Sequence, residues 1–590
     1  MISTVGLGRM DRTLPWAPMP LISTPVFPIA TDPAPSLRAE LAATLQRIDG
    51  WGSGAWREIY RVWRLRGCLL SIDDLEAGVS RDDDDRVAAF VIVLPNHGLG
   101  AHGDLSQRTA ICDWVLRLAW ITLLADARIT VTTHRPGAAV RATNACVFTA
   151  PSAGQKPALL IRLLVRLPLA GMCCDGKALA RFVRRIESFA SDLNLGKKRP
   201  GLVAHQRSVA IQQALRNVLG EHDLVAFIGD GSLLARQVDG EPLPECRAWR
   251  TPKADRLTIH LGPLGKFHGL GIRRGVTAVA GAPYHGKSTV LAALAAGRDD
   301  HPPGDGRELV VADKTALVVQ AEDGRRIKNT DLSGFFTHLP GADSRTFSTS
   351  RASGATSMGA SLVQGIAAGC RLLLIDEDTA ASNFLTIDPV MRRLLGRAYD
   401  GTTTLLELLP RLASAGISTV LVAGSNSLSL AASNRVLLME KYEPHEVTTR
   451  VRRLLGARKK SPTASAWTAP QRTLLDDPDC LFGPRHFLNV DVTEPERPVI
   501  NNTILDLRRC GWELDKALVR GALASAAWCC RLTAGQPLAA SELRERYESF
   551  IATHGARGLD PFDTALMSVP PWQLVITVLE RLEKPIIYST

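Results

Sequence analysis

Between residues 255 and 455, short apolar runs alternate with longer stretches of mixed polarity. "VTAVAG" (276–281), "ALVVQ" (316–320), "RLLLID" (371–376), "TVLVAG" (419–424) and "RVLLME" (435–440) are each too short for a helix, and each closes on glycine or a polar residue. Runs of this kind fit strands buried on both faces, with helices between them, so a largely parallel sheet flanked by helices is expected. Upstream, "SLRAELAATLQRIDG" (36–50) sets Leu37, Leu41, Leu45 and Ile48 at helical spacing behind Ser36 as a possible cap. "FVIVLP" (90–95) reads as a strand, and helices are expected near 111–125 and 177–193, which makes a mixed α/β region to about residue 235. Downstream, 456–500 is rich in Pro, Ser, Thr and Asp and reads as a linker or extended arm. Residues 501–590 read as a helical unit in which Leu543, Tyr547, Phe550 and Ile551 share one face.

A chain of 590 residues exceeds what one core supports. Its hydrophobic share of 45% argues against wholesale disorder. The net charge of +11 fits either a plain basic enzyme or one with a polyanionic partner. The basic residues cluster in three places: Arg450, Arg452, Arg453, Arg458, Lys459 and Lys460; Lys197, Lys198 and Arg199; and Arg181, Arg184 and Arg185. Each alone reads as a solvated face. Together they admit RNA held through its phosphates with little sequence choice, since no RNA-recognition signature is present. Trp51, Trp56 and Trp63 lie near Arg57, Arg61, Arg64 and Arg66 and offer base stacking, although tryptophan more commonly belongs to a core. Eleven cysteines without a CxxC pair read as reduced thiols. Arg162 and Arg166 interrupt the apolar run 156–174, and Asp113 and Arg117 interrupt 111–125, so neither is expected to enter a membrane. "DDDDR" (82–86) reads as a solvated loop. The Pro-rich residues 1–35, with Arg9 and Arg12, read as an import leader or a disordered tail, leaving the mitochondrial matrix and the cytoplasm both open.

The chemistry concentrates in three motifs. "GAPYHGKST" (281–289) follows a strand and precedes the helical "VLAALAAG", the setting a phosphate-binding loop requires. Gly281 and Gly286 allow backbone N–H groups to curl around phosphates, with Tyr284, His285 and Thr289 completing the loop. Lys287 supplies charge to the β/γ-phosphates and Ser288 a hydroxyl to Mg²⁺, while the helix that follows aims its positive end at the anion. "LLLIDED" ends on adjacent carboxylates: Asp376 to hold Mg²⁺ and Glu377 to polarise the attacking water. Ser353-Gly354, 23 residues before Asp376, open an apolar helical stretch; alone they read as a turn, and together with Lys287, Gln320 and Asp376-Glu377 as an anion seat that reaches a γ-phosphate held by another subunit.

In this order the motifs resemble an ABC-type ATPase. Gln320 then resembles the Q-loop glutamine that senses Mg²⁺ and the attacking water, and Asn383 stands where the D-loop aspartate would be. More specifically, "GVTAVAGAPYHGKSTVLAAL", "PPGDGRE", "AEDGR", "TDLSGFFTHLPG", "FSTSRASGATSMGAS" and "IDEDTAASNF" are similar to the predicted ATPases of the ABC class. That family includes a kinetoplastid mitochondrial protein associated with RNA editing. The likeness covers about 225–445, with fainter continuation in "IDGWGSGAWREIY" and "RGLDPFD". It implies a P-loop ABC-type core (236–455), a mixed α/β N-terminal domain (36–235), an arm (456–500) and a small, mainly helical C-terminal domain (501–590). It also implies ATP and Mg²⁺ as cofactors, a homodimer around two nucleotides, RNA at a basic surface, and protein partners in RNA processing. Two departures stand out. Gly424, Ser425 and Asn426 occupy the neighbourhood of the switch histidine of ABC transporters, and Leu428 stands near an aspartate of the family, which implies slow turnover.

An RNA-coupled ATPase is therefore the first expectation, with Glu377, Gln320 and Lys287 catalytic. An ATP-gated scaffold that hydrolyses little is the second. A small-molecule kinase is a third, disfavoured by the spacing from Ser353 to Asp376.

Overall fold

The computed structural model describes residues 37–589 except 75–86, 96, 98, 100–103, 124–128, 132, 134, 150–156, 195–198, 239, 340, 397–400, 457–466, 469, 476–489, 501, 534–535, 561–565 and 583–585. The candidate leader, Ser36, the acidic run 82–86, and Lys197, Lys198, Arg458, Lys459 and Lys460 lie outside the described residues.

The N-terminal unit is an antiparallel sheet covered by helices. Helix α1 (Leu37–Ile48) leads to β1 (Val62–Leu65), β2 (Cys68–Asp74), β3 (Val87–Leu94), α2 (Leu105–Leu123), β4 (Thr130–Val131), β5 (Cys146–Phe148), β6 (Leu159–Arg166) and α3 (Gly176–Asn194). The strand order is β1-β2-β3-β6-β4, with β5 also on β6. Leu41, Leu45 and Ile48 of α1 and Phe182 and Ile186 of α3 pack on alternate residues of β3 and β6. Trp56 and Trp63 belong to this core, both fully buried, so base stacking is ruled out for these two; Trp51 is half-exposed beneath the Arg47 guanidinium.

Helix α4 (Arg199–Val218) leads into a second sheet formed by β7 (Leu224–Gly229), β8 (Arg256–His260), β9 (Lys266–Arg273) and β11 (Val310–Ala312), in the antiparallel order β8-β9-β7-β11. Strand pairing thus joins 224–229 to the central unit, whereas the apolar pattern assigned it to the N-terminal one.

The main sheet contains β10 (Val276–Gly281), which precedes α5 (Lys287–Ala296), and β12 (Leu317–Val319). After a hairpin of β13 (Ile327–Thr330) and β14 (Phe347–Thr349) come α6 (Gly354–Ala367), β15 (Leu372–Asp376), α7 (Leu405–Ser414), β16 (Ser418–Ala423), β17 (Arg435–Glu440), β18 (Glu443–Glu446) and α8 (Thr448–Leu455). The order is β12-β15-β16-β10-β17-β18, parallel except for β18. All five apolar runs are strands. Leu372 and Leu374 pack toward α5 and the second sheet, while Leu373 and Ile375 pack toward α6 and α7. Burial on both faces is why these strands are continuously apolar.

The C-terminal unit comprises α9 (Lys516–Leu532), α10 (Ala540–His554) and α11 (Trp572–Arg581), with a small sheet of β19 (Arg472–Leu475), β20 (Leu538–Ala539) and β21 (Ile586–Ser589). Leu543 and Tyr547 of α10 are buried, with Phe550 and Ile551 packed beside them. The stretch expected as an arm is partly anchored. Trp467 packs against Phe335, and Arg472 forms a buried pair with Glu580 at 2.7 Å. Its polar composition hid these two anchors. No described helix is long and apolar enough to cross a membrane.

Candidate nucleotide site

Register places the three motifs at one edge. Val279 of β10 is level with Val422 of β16, which is level with Asp376 of β15, and Val319 of β12 is level with Ile375. Gln320, Asp376, Gly424 and Gly281 therefore all emerge at the carboxyl ends of parallel strands, where open α/β sheets bind ligands.

The loop 281–289 turns from β10 into α5. Gly286 caps the helix in the left-handed region at φ 92°, and a Cβ there would meet the Tyr442 ring at 3.1 Å. Lys287 Nζ donates to the Ala282 carbonyl at 3.0 Å, which folds the lysine back across the loop. His285 Nδ1 lies 3.2 Å from the Met439 carbonyl and pins the loop to the end of β17. Tyr284 is almost fully exposed at φ 63°, Ser288 is exposed, and Thr289 is half-buried.

Asp376 is buried, and its Oδ1 accepts the Asp378 N–H at 3.1 Å. The Glu377 carboxylate accepts the Gly424 N–H and the Ser425 hydroxyl, each at 2.9 Å. Gly424 and Ser425 thus orient the Glu377 carboxylate directly. The sequence located Ser425 but did not signal this role, because a lone serine after a strand carries no motif. Leu428 packs against the core formed by α7 and β16, which accounts for an apolar residue there.

Ser288, Gln320 and Asp376 line one cavity of about 740 Å³. A hydroxyl, an amide and a carboxylate are hard donors, suited to Mg²⁺ held by few protein ligands together with phosphate oxygens. Ser353, Gly354, Asp378 and Asn383 line a second cavity of about 540 Å³, and Gln320 and Thr379 line both. Ser353 is exposed and caps α6, accepting the Thr356 N–H at 3.3 Å, while Gly354 is buried against Ala321 and Ala381. The cavity linings therefore join Ser288, Gln320 and Asp376, and leave Ser353 and Gly354 apart from the phosphate loop of their own chain.

Residues 198–473 match the ABC_ATPase family, described as a P-loop domain. This part of the chain is an ABC-class P-loop ATPase domain. An uncharacterized protein of Methanocaldococcus jannaschii, MJ1628, is 29% identical over 280 residues, covering 44% of this chain and 61% of its own length. Among solved structures, cbiO1 of Clostridium perfringens, part of the ABC transporter complex cbiONQ, is 14% identical with a TM-score of 0.24. That match covers 38% of this chain and 87% of cbiO1. In the ABC-class domain described here, the stretch between Gln320 and Ser353 holds the β13–β14 hairpin and, among the described residues, no helix.

Proposed function

We propose that the chain hydrolyses ATP as a homodimer and couples its nucleotide state to RNA held on a basic surface. The division between the two cavities carries this reading. Ser288 and Asp376 line the first cavity, the exposed Ser353 and the start of α6 line the second, and Gln320 borders both. A second protomer would supply its Ser353-Gly354 to the first protomer's γ-phosphate, adding a hydroxyl and a helix N-terminus to the anion. Lys287 and the α5 N-terminus would hold the triphosphate. Ser288, Asp376 and Gln320 would hold Mg²⁺, which screens the phosphate charge. Glu377, oriented by Gly424 and Ser425, would accept the proton of the attacking water.

For RNA, the support is electrostatic. Arg450, Arg452 and Arg453 are exposed on α8, at the end of the ATPase sheet. Closing and opening the dimer would change how such faces are presented, so nucleotide state and RNA affinity would be linked. RNA processing with protein partners, in the mitochondrion or elsewhere, is the context the family resemblance favours.

An ATP-gated scaffold with little turnover is the second reading. Its support is the serine contact on Glu377 in place of a histidine. Steady-state hydrolysis with and without single-stranded RNA separates the two. Turnover that depends on Lys287 and Glu377 and responds to RNA is expected; negligible turnover under all conditions would favour the scaffold.

A further inference from the structure

The C-terminal unit reaches the nucleotide site through one turn, residues 506–512. The Gln320 amide Nε2 donates to the Arg509 carbonyl at 3.0 Å, and Arg509 Nη1 donates back to the Ala321 carbonyl at 3.0 Å. Gly511 lies against β12, the strand that delivers Gln320. A Cβ on Gly511, whose φ is +77°, would stand 2.6 Å from Val318 Cβ. Arg298, just beyond α5, donates to the Gly511 carbonyl at 2.9 Å and to the Ala316 carbonyl at 3.0 Å, with its guanidinium 3.7 Å over the Trp512 ring. One cation thus joins the turn, the start of β12 and the end of the phosphate-loop helix. A second arm sits beside it: Arg581 of α11 pairs with Glu322 at 2.6 Å, two residues after Gln320.

We propose that the 506–512 turn positions Gln320 for the Mg·ATP site, with Arg509 as the positioning residue, so that the C-terminal unit governs the Q-loop. This rests on the nucleotide reading above. A side-chain amide has two donor protons and one acceptor oxygen. With Nε2 committed to the Arg509 carbonyl, Oε1 is left as the amide's acceptor for the cavity that Gln320 lines with Ser288 and Asp376. If the turn slips, the amide loses that orientation while the phosphate loop stays intact. The device uses contacts within the chain alone.

The test uses the full chain with Arg509→Ala, Arg509→Lys and Gly511→Ala, with Gln320→Ala as reference. Three quantities are read: ATP affinity without Mg²⁺, the tightening of ATP binding when Mg²⁺ is added, and kcat. ATP affinity without Mg²⁺ should match wild type in every variant. Arg509→Ala and Gly511→Ala should lose the Mg²⁺ tightening, as Gln320→Ala does, and lower kcat by roughly ten- to a hundredfold. Arg509→Lys keeps a donor for the Ala321 carbonyl and should restore both. In a Gln320→Ala background, Arg509→Ala should add no further loss. If Arg509→Ala and Gly511→Ala both keep the wild-type Mg²⁺ tightening and a kcat within about twofold of wild type, the turn is packing alone and the proposal falls. Additive losses in the double variant also overturn it. Should Gly511→Ala fail to fold, the Arg509 pair and the double variant still decide. A wild-type chain that binds no ATP overturns the nucleotide reading and this role with it, whereas a chain that binds ATP with Mg²⁺ tightening indifferent to Arg509 overturns this role alone.

Discussion

At the scale of single residues, two carboxylates at the end of β15 have different surroundings. Asp376 is buried beside the phosphate loop, whereas Glu377 is held from β16 by the Gly424 N–H and the Ser425 hydroxyl. Removing the hydroxyl leaves one of these two hydrogen bonds. Ser425→Ala is therefore expected to lower kcat about tenfold, with ATP affinity unchanged, because a misaimed base weakens proton transfer and not binding. A coupled phosphate-release assay and isothermal titration would show the split; a fall in affinity at constant kcat would mean that Ser425 serves the nucleotide instead. Lys287→Ala should abolish ATP binding, read by the same titration. Lys328 makes a prediction about stability. Burial pushes its ammonium down to about 8 from its ordinary value of 10.5, and its Nζ donates to the Leu579 carbonyl at 3.2 Å. Because the folded-state pKa is the lower one, the unfolded chain binds the extra proton between these values. Stability from this group therefore rises with pH across that window. The advantage in melting temperature of Lys328→Met over wild type should shrink as pH climbs from about 8 to about 10.5; a constant difference would show that Lys328 does not titrate there.

At the scale of elements, the parallel sheet was legible in the sequence because its strands are covered on both faces. "RLLLID" has no polar face to confuse its period, and β15 runs from Leu372 to Asp376. The phosphate loop and the acidic strand end were legible for a related reason: their chemistry requires fixed residue types at fixed spacing from a strand. The contacts that position them were not. Arg509 meets Gln320 from 189 residues away, and Ser425 meets Glu377 through a loop without a motif. The anchors of β19 were hidden too, since Arg472 sits in a Pro- and Ser-rich stretch that reads as a linker. Its buried pair with Glu580 also brings in the Gln364 amide of α6, which donates to Glu580 at 3.0 Å. Burial alone would raise the nearby Glu322, but Arg581 and Arg325 outweigh it and hold its carboxyl below the ordinary range. Breaking one partner of such a pair strands the other. Arg472→Met is expected to destabilise the fold by about 3–5 kcal/mol by leaving the buried Glu580 without its ion-pair partner. A melting temperature within a degree or so of wild type would contradict that expectation.

At the scale of the whole molecule, all three units meet around the nucleotide site. Val140 of the N-terminal unit donates its N–H to the Asp300 carbonyl at 2.7 Å, Asn144 donates to Asp560 at 2.6 Å, and Arg581 holds Glu322. On the reading proposed above, a change at Gln320 also reaches surfaces far from it when nucleotide binding draws two copies together. The proposed joint is Ser353, exposed at the start of α6. Ser353→Arg should prevent nucleotide-driven association while leaving the ATP affinity of a single protomer unchanged, at a cost of about 1 kcal/mol for the lost helix cap. The central claim is tested most directly by light scattering of the Glu377→Gln chain, in which hydrolysis should stall with nucleotide bound. Adding Mg·ATP should double the mass from the 63.8 kDa of one chain, and removing the nucleotide should reverse it. A Glu377→Gln chain that binds ATP yet keeps the mass of one chain, or that is already a stable dimer indifferent to nucleotide, would contradict the account.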